Sequence, residues 1–242
     1  MAHSGWVGML DDEQRRAPPL VVAHRGEPVT HVENTLPAVL AGFALGADMV
    51  EIDLKLTADG EVVAIHDDHL RRVWRTGGTV RGSTWSELRG LRREGSQIPA
   101  LAEVLSATRG ALMLDLGGSR VAAAALEVVR QSGALARCLF VSGDRATLSG
   151  LRASDPGARL GLTWERRGLP DRGLLRELSP EYWNPALRVV SRGRVQALHD
   201  LGYRVSVWTV DRRYRMGRAL SLGVDAVVTN QTARLVALRD RR

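Results

Sequence analysis

Val21-Val22-Ala23-His24-Arg25-Gly26 is an apolar run that ends abruptly in an imidazole, a guanidinium and a glycine. Met49-Val50-Glu51-Ile52-Asp53 and Ile65-His66-Asp67 repeat the form. A β-strand that stops at a chemically active side chain is how α/β proteins present a site along one rim of the sheet. Working outward, short apolar or β-branched runs bounded by turn signals recur at Leu112–Leu116, Cys138–Ser142, Arg159–Thr163, Tyr182–Asn184, Arg204–Trp208 and Ala226–Thr229. Helical patterns fill most of the gaps: Glu33–Leu45, Arg120–Gln131, Arg145–Ala153, Leu174–Leu178, Ser191–Leu201, Arg212–Ser221 and Thr232–Leu238. With Leu20–Ala23 and Met49–Asp53 these runs make eight strands alternating with helices. That alternation predicts an α/β fold, a (β/α)8 TIM barrel. A doubly wound open sheet is the alternative arrangement.

One interval breaks the rhythm. The stretch from Asp53 to Leu112 is too long for a single crossover helix. Within it Glu61–His66 reads as an extra extended segment and Arg75–Thr79 as a turn. Thr84–Leu91 reads as a short helix capped by Ser83 or Thr84, with Glu87 placed for a capping box. Ile98–Ala100 leads into a further helix, Leu101–Ala107. The chain is therefore expected to comprise a lead-in segment, 1–19, and one barrel domain, 20–242. A small insertion of about 67–96 after the second strand sits on the rim that carries the chemistry.

Composition narrows the function. The 242 residues are 44% hydrophobic and 25% charged, enough to bury a full core. No apolar stretch approaches the ~20 residues that cross a bilayer, and the N-terminus lacks a signal-peptide core. A cytoplasmic protein with no stable membrane association is expected. Net charge is +7, but the basic residues are scattered and not interleaved with aromatics, which argues against nucleic acid. Self-association is left open. The single Cys138 excludes an internal disulfide.

Glu51 and Asp53 lie two apart on one strand, so both point to the same face. In a barrel that face is the interior, where unpaired carboxylates are costly. A divalent cation at the barrel mouth removes the cost, and Asp115 on the next full strand offers a third oxygen. The plain alternative is a buried pair satisfied by Arg25 or Lys55. Carboxylates without a cysteine or histidine cluster favour a hard ion, Mg²⁺ or Ca²⁺, over zinc. His24 and His66 each follow a strand and are suited to proton transfer near neutrality. Arg25 offers a planar fork to phosphate oxygens.

Ala-His-Arg-Gly (23–26), Glu-Asn-Thr (33–35), Gly-Ala-Asp-x-Val-Glu-Ile-Asp (46–53), Thr-x-Asp-Gly (57–60) and Ile-His-Asp (65–67) together resemble the glycerophosphodiester phosphodiesterase family. The likeness continues through Ile-Pro-Ala-Leu-x-Glu-Val-Leu (98–105), Val-Trp-Thr-Val-Asp (207–211) and Gly-Val-Asp-Ala-Val-Val-Thr-Asn (223–230). The resemblance implies a TIM barrel and metal-dependent hydrolysis of a small-molecule glycerophosphodiester to sn-glycerol 3-phosphate and an alcohol. It implies His24 and His66 as the general acid and base, in an order the sequence leaves open. It further implies Arg25 as a phosphate contact, Glu51 and Asp53 as metal ligands, and Asn34 and Trp208 beside the substrate. Attack by the substrate's own hydroxyl through a cyclic intermediate is a second route.

The chain departs from the family on the third full strand. Leu114-Asp115-Leu116-Gly117 stands where the family carries Glu-x-Lys. Asp115 keeps the charge and is expected to remain a ligand, but Gly117 removes a cation. Lys55, the only lysine of the chain, lies beside the acids on the same strand face as Asp53. One reading is that it reaches the space that Gly117 leaves and binds phosphate there; the plain alternative is a lysine exposed at a strand end. Two other readings remain: phospholipase D-like action on lysophospholipids, and a phosphodiester-binding homologue that lost turnover with its lysine.

Overall fold

The computed structural model describes residues 17–241, so residues 1–16 of the expected lead-in lie outside the described residues. Nine strands form one sheet: β1 (Leu20–His24), β2 (Met49–Leu56), β3 (Val62–Ala64), β4 (Ala111–Leu116), β5 (Cys138–Ser142), β6 (Arg159–Trp164), β7 (Tyr182–Pro185), β8 (Arg204–Val207) and β9 (Ala226–Thr229). Eight of them run parallel in the order β1-β2-β4-β5-β6-β7-β8-β9, and β9 pairs back onto β1 to close the barrel. β3 lies antiparallel on the end of β2, with Val62 opposite Leu56 and Ala64 opposite Leu54. The helices are α1 (Leu36–Ala44), α2 (Arg71–Trp74), α3 (Trp85–Gly90), α4 (Leu101–Ala107), α5 (Ser119–Gln131), α6 (Arg145–Ser154), α7 (Arg172–Leu178), α8 (Arg192–His199), α9 (Arg213–Leu222) and α10 (Thr232–Arg239). The closed ring excludes the doubly wound alternative. No helix among the described residues is long and apolar enough to cross a membrane.

Strand alternation sorts the core into two layers. Val50, Ile52 and Leu54 of β2 and Leu112, Leu114 and Leu116 of β4 face outward and pack with α4 and α5 in the main core. Each such fully buried aliphatic contributes about 1.5–3 kcal/mol. Met49, Met113, Val22, Leu139, Tyr182 and Val228 fill the barrel interior. Between β2 and α4, a third cluster of Val63, Ile65, Leu70, Trp74, Val80 and Leu88 gives the intervening segment a small core of its own.

Most helix ends shift by a residue or two from the sequence expectation, and two larger differences have local reasons. α1 begins at Leu36 instead of Glu33, because Asn34 takes a left-handed backbone (φ 59) and Thr35 is the N-cap. α2 was not anticipated: four residues show no periodicity, and the helix stops at Arg75 in the left-handed region (φ 54). The capping box of α3 does form, with Thr84 as its N-cap and Glu87 reaching back.

Candidate active site

Register decides where the acids go. Met49, Glu51, Asp53 and Lys55 share the inward face of β2, as Met113 and Asp115 share that of β4. Across the ladder Glu51 stands beside His24, and Asp53 beside Asp115. Oxygens of Glu51, Asp53 and Asp115 therefore lie within 4.8 Å of one another, one layer above the apolar barrel interior.

The cluster is short of positive charge. Burial, reinforced by the Asp53 and Asp115 charges, pushes the Glu51 carboxyl well above its ordinary range. Burial and the Asp53 charge push Asp115 up to about 6. Arg25 partly answers this: its backbone N–H donates to Glu51 Oε2 at 2.9 Å, and its Nε lies 3.1 Å from Asp53 Oδ2. The plain pairing considered from sequence is thus present, but Arg25 is also shared with Glu33 at 3.0 Å, and two of the acids stay raised. Three convergent oxygen donors, two of them buried and the third partly so, fit a divalent cation in this state.

Glu33, Asn34 and Thr35 divide the work of holding this side of the barrel. Thr35 caps α1 by accepting from the Ala38 N–H. Asn34 clamps Asp53: its Nδ2 donates to Asp53 Oδ2 at 2.8 Å, and its Oδ1 accepts from the Asp53 backbone N–H at 3.0 Å. Glu33 holds Arg25. Gly26 admits the chain between β1 and α1, since a Cβ there would sit 2.4 Å from the Ala38 carbonyl carbon at a φ of +82°.

His24 is oriented from behind. Asp211 accepts from the Asn230 backbone N–H at 2.8 Å and from its Nδ2 at 2.9 Å. A carboxylate only accepts, so the amide nitrogen of Asn230 faces Asp211 and its oxygen faces His24. His24 Nδ1 lies 2.8 Å from that oxygen and must therefore donate. The lone pair is left on Nε2, which lies 3.9 Å from Glu51 Oε2. Burial, helped by the Arg25 charge, lowers the pKa of the ring, so it is neutral at neutral pH.

His66 is held differently. It follows β3, is half-exposed, and its Nδ1 lies 2.6 Å from Asp67 Oδ1. Asp67 also accepts from Arg72 Nε, and this bond, with burial opposing it, holds the carboxyl down at about 2. Arg72 in turn donates to both oxygens of Glu33, at 2.7 and 3.1 Å.

A cleft of about 300 Å³ collects His24, Arg25, Glu51, Asp53, His66 and Asp115 at one mouth, with Thr163, Glu165, Asn184 and Trp208 on the far wall. The Trp208 indole is fixed by donating to the Asn184 carbonyl at 2.8 Å. Asn34 and Lys55 stand behind the lining. Lys55 Nζ lies 3.8 Å from the point that a Cβ at Gly117 would occupy, and its charge tempers the upward shift of Asp115. His31 pairs with Glu27 at 3.0 Å and His199 with Asp225 at 2.8 Å; neither lines the cleft.

Sequence reasoning assigned no role to Asp211, Asn230, Glu33, Asp67 or Arg72. Asp211 and Asn230 carried a usable signal, because each follows a strand-like apolar run as His24 does. Arg72 carried none among so many arginines.

Comparison with known proteins gives the family and the fold. The model of the Glycerophosphoryl diester phosphodiesterase family matches residues 24–234. A glycerophosphodiester phosphodiesterase of Caldanaerobacter subterraneus subsp. tengcongensis is 28% identical over 90% of this chain and 97% of its own. Two solved structures share the fold at 24% identity. One, an Oleispira antarctica phosphodiesterase in complex with the product sn-glycerol-3-phosphate, superposes with a TM-score of 0.85 over 92% of this chain and 97% of its own. The other, a glycerophosphodiester phosphodiesterase of Thermotoga maritima, superposes with a TM-score of 0.79 over 93% of this chain and 100% of its own. The chain belongs to the glycerophosphoryl diester phosphodiesterase family and is, by that membership, a phosphoric diester hydrolase.

Proposed function

We propose that the protein hydrolyses glycerophosphodiesters to sn-glycerol 3-phosphate and an alcohol, in the cytoplasm, with one hard divalent cation, Mg²⁺ or Ca²⁺, held by Glu51, Asp53 and Asp115. The observation that carries the reading is that two imidazoles and three convergent acids line one cleft. When bound, the cation supplies Lewis-acid stabilisation of the phosphoryl oxygens. The other contributions come from this chain. Arg25 offers its guanidinium to the phosphate, and Lys55 brings its ammonium over Gly117 to the same charge. Asn34 keeps Asp53 aimed. Trp208 closes one wall, and Asn184 Oδ1, a buried acceptor without a partner among the described residues, suits a substrate hydroxyl.

The two rings take different parts. His24 holds a lone pair on Nε2 from the outset and takes the proton of the incoming oxygen. His66 has its Nδ1 engaged by the Asp67 carboxylate, which leaves Nε2 to face the cleft, and it protonates the leaving oxygen. An activated leaving group tests the assignment. His66→Ala should lose about 10²–10⁴-fold on glycerophosphocholine but far less on a p-nitrophenyl phosphodiester, which leaves without a proton. His24→Ala should be impaired on both. The opposite pattern reverses the assignment, and full activity of both variants removes the reading altogether.

A further inference from the structure

The two halves of the cleft are joined by one side chain. His66 hangs on Asp67, and Arg25 on Glu33, the first on the segment after β3 and the second on the loop after β1. Among the described residues, the only group bonded to both acids is the Arg72 guanidinium of α2. Its Nε meets Asp67, and its Nη1 and Nη2 meet Glu33 at 3.1 and 2.7 Å. An unbroken chain of polar contacts therefore runs His66–Asp67–Arg72–Glu33–Arg25–Asp53.

The site needs such a strut because its two sides rest on unlike foundations. Glu51, Asp53 and Asp115 are set by β-ladder register. His66 lies beyond the three-residue β3, which pairs with the end of β2 and bridges to Ala100, and the Ile65 N–H just before it donates to the Asp53 carbonyl at 2.8 Å. That pairing sets the His66 backbone beside Asp53 but leaves its ring free to turn, and the partner that holds the ring is Asp67. A planar fork that engages two carboxylates fixes both distance and direction, which a single ammonium does not.

We infer that Arg72 is a positioning residue for hydrolysis: it holds Asp67, and through it the His66 imidazole, at a set distance from Arg25 and the acid cluster. It touches no substrate. The inference rests on the reading of His66 as a proton donor given above. Arg72 is half-exposed and lies outside the main core, so its replacement leaves the barrel intact.

The test is steady-state kinetics of Arg72→Ala and Arg72→Lys with glycerophosphocholine, alongside His66→Ala and thermal melts. Arg72→Ala should lower kcat by about 10²-fold with KM nearly unchanged, the loss expected when a reacting group drifts by about 1 Å. Arg72→Lys, able to meet one acid at a time, should fall between. Millimolar guanidinium should restore part of the Arg72→Ala activity by refilling the gap, and it should do nothing for His66→Ala. A purely structural role predicts instead a lowered melting temperature with no guanidinium rescue. That result, or wild-type kcat in Arg72→Ala beside a dead His66→Ala, overturns the inference. Wild-type turnover in His66→Ala overturns the underlying reading as well.

Discussion

The acid wall and the His66 wall of the cleft are built by opposite means. Glu51, Asp53 and Asp115 are inward-facing residues of adjacent barrel strands, the first two buried and the third partly so, and all are locked by ladder register. His66, Asp67 and Arg72 sit on a short strand end and a four-residue helix, open to solvent and held by ion pairs. A ladder tolerates no partial slip, because moving one residue turns every side chain over. Ion pairs at half-exposed positions are individually weak and are screened by salt. The lesson is one of division: the wall that gathers like charges is rigid, and the wall that carries the exposed imidazole is the more adjustable.

The comparison can be broken most severely on the rigid side. Asp53→Asn should abolish binding of Mg²⁺ or Ca²⁺ by calorimetry and lower kcat/KM by about 10³-fold, since both a ligand and the Asn34 clamp are disturbed. EDTA treatment of the unaltered protein should mimic this, with restoration by added cation.

Lys55 stands two residues past Asp53 on β2, beside Gly117. Lys55→Ala should cost about 10–100-fold in kcat/KM. Gly117→Lys introduced into that variant should recover much of the loss, because the two positions share one space. Failure of the double variant to recover would separate the lysine from the phosphate.

The buried acids should also mark the metal-free protein. Asp115 titrates at about 6 when folded, against about 3.9 when unfolded. The folded state then holds more protons than the unfolded one, so stability falls as pH rises from about 4 to 6, by up to about 3 kcal/mol. In EDTA the melting temperature should drop over that window, and saturating cation should reverse the trend above pH 6. On the adjustable side, Asp67 works in the other direction. Its stabilising contribution, present above the unfolded value, is lost only as pH falls towards about 2.

The smallest effect belongs to the segment's own helix. Thr84→Ala removes the N-cap of α3 and should cost about 1 kcal/mol in a denaturant titration while leaving turnover unchanged.

These walls also differ in how far the sequence disclosed them. The barrel was legible because its strands are separated by turn signals and alternate with amphipathic helices. The acid pair was legible because Glu51 and Asp53 lie two apart on one of those strands. Lys55 and Gly117 were legible as an odd lysine and an odd glycine. Asn34 was located but its task was not: a left-handed residue gripping a strand residue across the fold leaves no local periodicity. Arg72 was invisible for the same reason. Its meaning lies in two carboxylates, five and thirty-nine positions away in sequence.

Asn230 imposes a final constraint. It must present hydrogens to an anion on one side and an oxygen to an imidazole on the other. Aspartate in its place would set two carboxylates together and would have to retain a proton. Glutamine would overshoot by a methylene. An amide of this length relays polarity without importing charge, so the ring is told which nitrogen to leave bare while the cleft keeps its capacity to welcome an anionic diester.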